Sequence, residues 1–263
     1  MPETIVITGA GTGIGEACAR RLAAEGADLI LIGRRQDALQ RVAEDTGGLV
    51  LAGDAADSAT WSRFTAIIRE RSGAIDALLA CAGGHGLGNA TDTSDDSWAA
   101  AMRSNLDSAF HSARACLPLL IPRRGSIVLL GSIASLAAGP EVCGYTTAKH
   151  ALLGLTRSLA RDYGPQGVRV NCVCPGWVRT PMADAEMQPL MAHYGDDLDH
   201  AYARVTADVP LRRPATAEEI ASVCRFLISA EASIITGATL VADGGSSIVD
   251  VPTLAYGRME NNA

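Results

Sequence analysis

The chain has 263 residues, room for one large α/β domain or two small ones. Hydrophobic residues make up 48% and charged residues 19%, so a sizeable core can form; with only 4% aromatics it must be mainly Ala, Leu, Ile and Val. A net charge of −7 excludes the basic stripe of a nucleic-acid or anionic-membrane binder, while leaving room for one local site that holds a phosphorylated ligand.

The first predicted strand, Thr4–Thr8, runs straight into Gly9-Ala10-Gly11-Thr12-Gly13-Ile14-Gly15 and a predicted helix over Ile14–Glu25. Glycines let the backbone turn tightly and approach a ligand closely, and a helix N-terminus offers unpaired N–H groups to a pyrophosphate. The spacing is Gly9-x-x-x-Gly13-x-Gly15 rather than strict GxGxxG, so its position between strand and helix carries the inference. Gly26 then stands where a helix ends. A second strand over Asp28–Ile32 leads to Gly33-Arg34-Arg35, where a dinucleotide fold that prefers NAD(H) carries a carboxylate for the ribose. With no carboxylate there and Arg34 able to pair with a 2′-phosphate, NADP(H) is favoured and NAD(H) stays open; the alternative is two solvated surface arginines.

Alternation continues with a helix over Asp37–Thr46, a strand over Leu49–Ala52, a helix over Ala59–Arg71 and a strand over Asp76–Cys81. One long helix is predicted over Asp95–Leu120, then a strand over Ser126–Leu130 and a helix over Tyr145–Tyr163. Strands over Val168–Cys174 and Ala238–Ala242 flank a helix over Ala217–Ser229 that opens on a capping box, Thr216 with Glu219. Near-continuous apolar strands such as Leu29-Ile30-Leu31-Ile32 are buried on both faces, which calls for a parallel sheet covered by helices. The fold class is therefore α/β: a single-domain, doubly wound Rossmann fold with a seven-stranded parallel sheet, favoured over a closed eight-fold barrel. Residues 181–215, rich in Met, Asp, His and Pro, break the rhythm and are expected to form an irregular substrate lid. A tail over 246–263 lies beyond the core, its last residues expected to be disordered.

Seven cysteines (Cys18, Cys81, Cys116, Cys143, Cys172, Cys174 and Cys224) show neither CxxC nor metal-ligand spacing, so they read as small packing residues and no metal is expected. Cys172 and Cys174 should face the same side of a strand. No apolar run approaches the roughly 18 residues of a membrane span, and no basic region or cleavage site precedes Thr4, so a cytoplasmic protein is expected.

Tyr145 and Lys149 lie one helical turn apart and share a face. A tyrosine must drop about three pH units, roughly 4 kcal/mol, to act as a base near neutrality. One positive charge at ~4 Å supplies about that much at an effective dielectric of ~20. Read alone, such a pair is surface packing, Ser132 a cap for the segment after it and Asn105 a polar group inside a helix.

In this order, the motifs resemble the short-chain dehydrogenase/reductase family in its compact, single-domain form, over essentially Thr4 to Gly245. Thr8-Gly9-x-x-x-Gly13-Ile14-Gly15 is similar to its cofactor turn, Asp54 with Ala55 to its adenine contact, and Ala82-Gly83 to the end of its Asn-Asn-Ala-Gly segment. Asn105, Ser132 and Tyr145-x-x-x-Lys149 match its catalytic residues, and Pro175-Gly176-x-Val178-x-Thr180 its nicotinamide turn. One departure is visible: Ala80-Cys81 replaces the two asparagines, so support of the central sheet there must differ. The resemblance implies a secondary alcohol/ketone oxidoreductase in which the cofactor supplies hydride and Tyr145 the proton. It further implies that Lys149 also holds the nicotinamide ribose, Ser132 the substrate oxygen, Asn105 a water linking Lys149 to solvent, and Thr180 with the backbone at Val178 the carboxamide. Thr12 and Ile14 complete the phosphate turn.

His85, Ser135, Val142, Cys143, Trp177, Met182 and Met187 are candidates to line the substrate pocket, a mostly apolar set without an arginine clamp. That suits a small to medium uncharged alcohol or ketone; 3-oxoacyl thioesters, polyols and dihydrodiols stay open. Rival readings are an NADP(H)-binding regulator without turnover and a purely structural oligomer. Small apolar residues on several sides of Asn105–Leu117 and Ala148–Leu159 suit subunit packing, and the resemblance implies a homotetramer or homodimer.

Overall fold

A computed structural model describes residues 2–84 and 86–259. Its sheet has seven parallel strands: β1 (Thr4–Thr8), β2 (Asp28–Gly33), β3 (Leu49–Ala52), β4 (Ala77–Ala80), β5 (Ser126–Leu130), β6 (Arg169–Pro175) and β7 (Thr239–Ala242). They stand in the order β3-β2-β1-β4-β5-β6-β7, with Thr8 beside Ile32 on one side and Ala80 on the other. The chain therefore winds outward in both directions from β1 and β4, and the crevice beyond their C-terminal ends is where such sheets bind ligands.

Helices α1 (Gly13–Ala24), α2 (Gln36–Thr46) and α9 (Ala217–Ile228) cover one face; their Ala17, Leu22, Leu39, Ile220 and Leu227 pack on Ile5, Ile7, Leu29 and Leu31. The other face is covered by α3 (Ser58–Ser72), α5 (Ser108–Leu120) and α6 (Cys143–Tyr163), which pack Phe64, Ile68, Cys116, Leu120 and Leu152 against Val6, Ile30, Leu78 and Ile127. Alternate residues of one strand feed opposite cores, which is why the strands are apolar throughout. Both predicted boundary signals are realised: Gly26 takes φ +86°, and Thr216 and Glu219 bond reciprocally at the start of α9.

Two expectations need correction. The single helix predicted over Asp95–Leu120 is α4 (Asp95–Met102) and α5, joined by one wide π turn over Arg103–Asp107. Residues 181–215 are not irregular: α7 (Pro181–Tyr194) and α8 (Leu198–Val205) enclose their own small core of Ala183, Met187, Ala201 and Tyr202. Short 3-10 turns and α10 (Leu254–Met259) occupy the tail to 259; residues 260–263, expected to be disordered, lie outside the described residues. Among the described residues no helix is long and apolar enough to cross a membrane.

Candidate active site

The turn between β1 and α1 is built from conformations only glycine adopts easily. Gly9 has φ +68° and Gly13 φ +58°. A Cβ on Gly9 would lie 2.9 Å from the Cys81 and Ala82 backbone, and one on Gly15 2.3 Å from the Gly9 carbonyl oxygen. The Ala82 N–H donates to Thr8 Oγ1 at 3.1 Å, so the ends of β1 and β4 are tied together despite the missing asparagines. Thr12 is the N-cap of α1, yet no side chain caps the helix. Its hydroxyl instead accepts from Arg35 at 3.2 Å, while Arg41 donates to the Gly11 carbonyl at 3.1 Å. Facing the turn is Thr180, whose methyl would be 3.1 Å from a Cβ on Gly13; its hydroxyl caps α7 by accepting from the Ala183 N–H. Thus Gly13 and Thr180, 167 positions apart, share one wall.

At the ends of β2 and β3, Arg34 is exposed and Asp54 half-buried. The Asp54 carboxylate accepts from the Ala56 N–H at 2.9 Å and from Arg103 at 2.8 Å. Burial works to raise its pKa, but the Ala56 N–H, Arg103 and Arg34 outweigh it and hold the carboxyl below its usual range. Ala55 is buried, its carbonyl accepting from the Trp61 indole at 2.9 Å.

Ser132, Asn105 and the Tyr145–Lys149 pair come from three different segments: the turn after β5, the π turn and α6. Lys149 is 4% exposed and its Nζ donates to the Leu130 carbonyl at 2.8 Å, at the end of β5. The same Nζ stands 5.5 Å from the centroid of the Tyr145 ring. The π turn carries Asn105, 1% exposed, into the same crevice. Such turns occur often at functional sites because the extra residue re-aims side chains. Asn105 Nδ2 donates to the Ala101 carbonyl at 3.0 Å, and its Oδ1 accepts from the Gly84 N–H at 3.1 Å. A Cβ on Gly83 would lie 3.2 Å from Asn105 Oδ1 and 3.6 Å from Lys149 Nζ, so the amide and the ammonium converge beneath that glycine.

Ser132 caps the short turn Ile133–Ser135: its Oγ accepts from the Ala134 N–H at 3.1 Å, and Ser135 Oγ accepts from the Ser132 N–H at 3.2 Å. Accepting a bond does not consume the hydroxyl proton, which is what a substrate oxygen would take. Ser135 is buried and holds Ser132 rather than lining a pocket. Below it, Cys172 and Cys174 do face one side, their sulfurs 3.9 Å apart. The Cys172 thiol, with Ser135 and the Ser132 N–H, lowers the Cys174 pKa against the effect of burial.

The substrate candidates scatter. Val142 bridges Gly88 and precedes α6, which Cys143 opens; both are half-buried. Trp177 packs against the α7–α8 core and, with Ile133 and Gly176, lines a cavity of 70 Å³. Met182 is 40% exposed on α7. Met187 is fully buried inside the α7–α8 core, so it does not line an open pocket as expected. His85 lies outside the described residues. Three neighbours are not marked by the sequence: Arg103, Gly84 and Gly86, whose carbonyl accepts from the Tyr145 N–H at 3.3 Å, while Arg35, named there beside Arg34, turns out to hold Thr12. The doubled arginine after β2 and the density of glycine after β4 were the available signals. Among the described residues no group of three or more His, Cys, Asp or Glu side chains is placed to hold a metal ion.

A family model described as enoyl-(acyl carrier protein) reductase matches residues 9–247. Protein MoaE of Klebsiella aerogenes is 55% identical over 97% of this chain and 100% of its own length. The meso-2,3-butanediol dehydrogenase of Serratia marcescens is 34% identical, over 94% of this chain and 96% of its own. Among solved structures, L-sorbose reductase from Gluconobacter frateurii, complexed with NADPH and L-sorbose, superposes with a TM-score of 0.87 at 28% identity, covering 93% of this chain and 96% of that one.

Proposed function

The chain belongs to the short-chain dehydrogenase/reductase family, and from that premise we propose that Tyr145 is the acid/base of an oxidoreductase that interconverts a secondary alcohol and a ketone by hydride transfer with a nicotinamide cofactor. One observation carries the assignment: Lys149 Nζ and Asn105 Oδ1 meet beneath Gly83, with the Tyr145 ring over the same ammonium. Tyr145 is the group placed to give a proton to a substrate oxygen or take one back, with Lys149 as the charge beside its ring. Lys149 is anchored by the Leu130 carbonyl, which keeps the charge at one height along α6. Ser132, fixed by its capping box, offers its hydroxyl proton to the substrate oxygen and stabilises charge developing there. Asn105 holds the route by which Lys149 exchanges protons with solvent.

The crevice fits a dinucleotide. Its floor, Gly9, Gly13 and Gly15, has no room for side chains, and α1 presents a first turn that no side chain caps. Gly9, Thr12, Gly13, Ile14 and Gly15 would hold the pyrophosphate, and Asp54 with Ala55 the adenine. Ala82, Gly83, Tyr145 and Lys149 would hold the nicotinamide ribose, and Pro175, Gly176, Val178 and Thr180 the carboxamide. When bound, the cofactor supplies or accepts the hydride. NADP(H) is the preferred form: Arg34 and Arg35 stand side by side at the end of β2, and the similar L-sorbose reductase was solved with NADPH. NAD(H) remains usable.

Ser132 and Tyr145 would meet the oxygen of a small to medium uncharged alcohol or ketone, with Val142, Cys143, Trp177 and Met182 as candidate neighbours and α7 and α8 as the lid. The protein acts in the cytoplasm as a homodimer or homotetramer joined through α5 and α6, where Phe110 and Gly154 are exposed. A panel of secondary alcohols and ketones, followed at the nicotinamide absorbance, tests the reading. Tyr145→Phe should lower kcat about a thousandfold while cofactor affinity is kept. Turnover within tenfold of wild type would remove Tyr145 from the chemistry.

A further inference from the structure

The helix that carries Tyr145 begins without a side-chain cap: Val142 is its N-cap residue. Its first N–H groups are satisfied from outside the helix. The Cys143 N–H donates to the Gly88 carbonyl at 3.1 Å, and the Tyr145 N–H to the Gly86 carbonyl at 3.3 Å. The 86–88 segment thus does the work of a cap, and it lies so close that a Cβ on Gly86 would be 2.6 Å from the Tyr145 nitrogen. Where this segment sits decides where Tyr145 sits.

One side chain ties the two together. Glu141 accepts on Oε2 from the Asn89 N–H at 3.1 Å and from Asn89 Nδ2 at 3.2 Å, while its own carbonyl accepts from the Gly88 N–H at 2.7 Å. Asn89 is itself braced: its Oδ1 accepts from the N–H groups of Thr91 and Asp92, both at 3.0 Å. Glu141 makes these bonds from φ +56°, a left-handed backbone that a non-glycine residue occupies at a cost. Glycine would suit that backbone better and could not reach Asn89. Strain kept together with a carboxylate points to a task for the carboxylate.

Resting on the reading of Tyr145 as the acid/base, we propose that Glu141 is a positioning residue whose carboxylate clamps the 86–89 segment onto the start of α6 and so sets the height of the Tyr145 hydroxyl against Lys149. The clamp acts through backbone geometry and touches neither substrate nor reacting atoms.

The test compares Glu141→Gly, Glu141→Gln, Asn89→Ala and Tyr145→Phe, using the most active alcohol of the panel above, with meso-2,3-butanediol included. Glu141→Gly relieves the strained backbone and removes the carboxylate, so its Tm should stay within about 2 °C of wild type. Its kcat should fall about tenfold with cofactor affinity unchanged, because a misplacement below 1 Å is enough for that. Asn89→Ala should behave alike, and Glu141→Gln, which keeps an acceptor at the same reach, should recover at least half of kcat. Wild-type kcat in Glu141→Gly and Asn89→Ala, with Tyr145→Phe inactive, overturns the clamp and leaves the site reading standing. A joint loss of Tm, cofactor affinity and kcat in Glu141→Gly also overturns it, by making the contact one that holds the fold. An active Tyr145→Phe overturns the reading beneath both.

Discussion

Arg34 and Arg35 divide one job at the mouth of the crevice. Arg35 is committed to Thr12 at 3.2 Å and so braces the glycine turn, whereas Arg34 is exposed and makes a longer-range contribution to Asp54. Arg34 is therefore the side chain free to swing onto a 2′-phosphate, and a hydrogen bond between charged groups is worth about 1.5–3 kcal/mol. Arg34→Asp should lower kcat/KM with NADPH by about tenfold to a hundredfold and leave or raise that with NADH, since a carboxylate accepts from the ribose hydroxyls. The ratio of the two kcat/KM values checks this; an unchanged ratio would assign the phosphate to Arg35 or to neither. The side chains proposed for the chemistry stand out in the sequence because that chemistry requires particular residue types in fixed order. Ser132, Tyr145 and Lys149 sit at strand ends or on one helical face, where spacing in the chain translates into space. Arg103, Gly84 and Gly86 were not legible, because each acts through a contact made only after β4, the π turn and α6 have packed. No local pattern marks Arg103 as the partner of Asp54, which lies 49 positions earlier.

Elements whose apolar face meets the sheet were read nearly to the residue, since burial against a flat layer imposes a period. The π turn and the α7–α8 pair were missed for a shared reason: neither follows that layer. An extra residue at Arg103–Asp107 shifts phase without changing composition, and α7 buries Ala183 and Met187 against α8 rather than the sheet, with Pro189 inside it. The tight ends of α9 show the opposite case. There Thr216 Oγ1 accepts from the Glu219 N–H at 3.2 Å, Glu219 Oε2 accepts from the Thr216 N–H at 2.9 Å, and Arg213 grips the same carboxylate at 2.6 Å. The Arg213 guanidinium, with the Thr216 N–H, brings the Glu219 carboxyl to about 2. Because α9 packs Ile220, Cys224 and Leu227 against the sheet, fraying its first turn loosens a core element. Thr216→Ala removes one half of the box, worth about 1 kcal/mol, and should lower Tm by about 2–4 °C. Activity at 25 °C should hold, as no residue of α9 is among those assigned to the site; a calorimetric scan beside a rate assay checks both. A fall in rate without a fall in Tm would mean that α9 bears on the site directly.

Stability of the whole molecule is bounded by two sets of groups that titrate at opposite ends of the pH scale. On the acid side, the Arg41 guanidinium beside Glu16 and the Thr60 hydroxyl on Asp57 hold those carboxyls below their ordinary values. At Asp243 burial pulls upward but the Ser247 N–H and hydroxyl and the Gly245 N–H prevail; Asp54 and Glu219 are depressed as described. A carboxyl depressed on folding stabilises the native state above its unfolded value, 3.8 for Asp and 4.5 for Glu, and that contribution is lost as pH falls through the folded value. On the alkaline side, burial lifts the Cys116 thiol far above its ordinary 9.0, Cys18 is raised chiefly by its contacts with Cys224 and Cys81, and burial with Asp184 raises the Tyr202 hydroxyl. Groups raised on folding contribute fully below their unfolded values and lose that contribution as pH climbs past them. His200, raised by Asp197, weakens in the neutral range, but the pair is exposed and contributes little. Tm should therefore be nearly flat from about pH 5 to pH 8.5, fall steeply below about pH 4.5 and fall again above about pH 9. Scanning calorimetry across that range, under reductant so that thiol ionisation is not confused with oxidation, checks both edges. The acid edge should soften in Arg41→Ala, which leaves Glu16 only Arg20 as a cationic partner to lose on protonation. An alkaline edge that stays flat past pH 10 would show that Cys116, Cys18 and Tyr202 ionise no more readily in the unfolded chain than in the folded one.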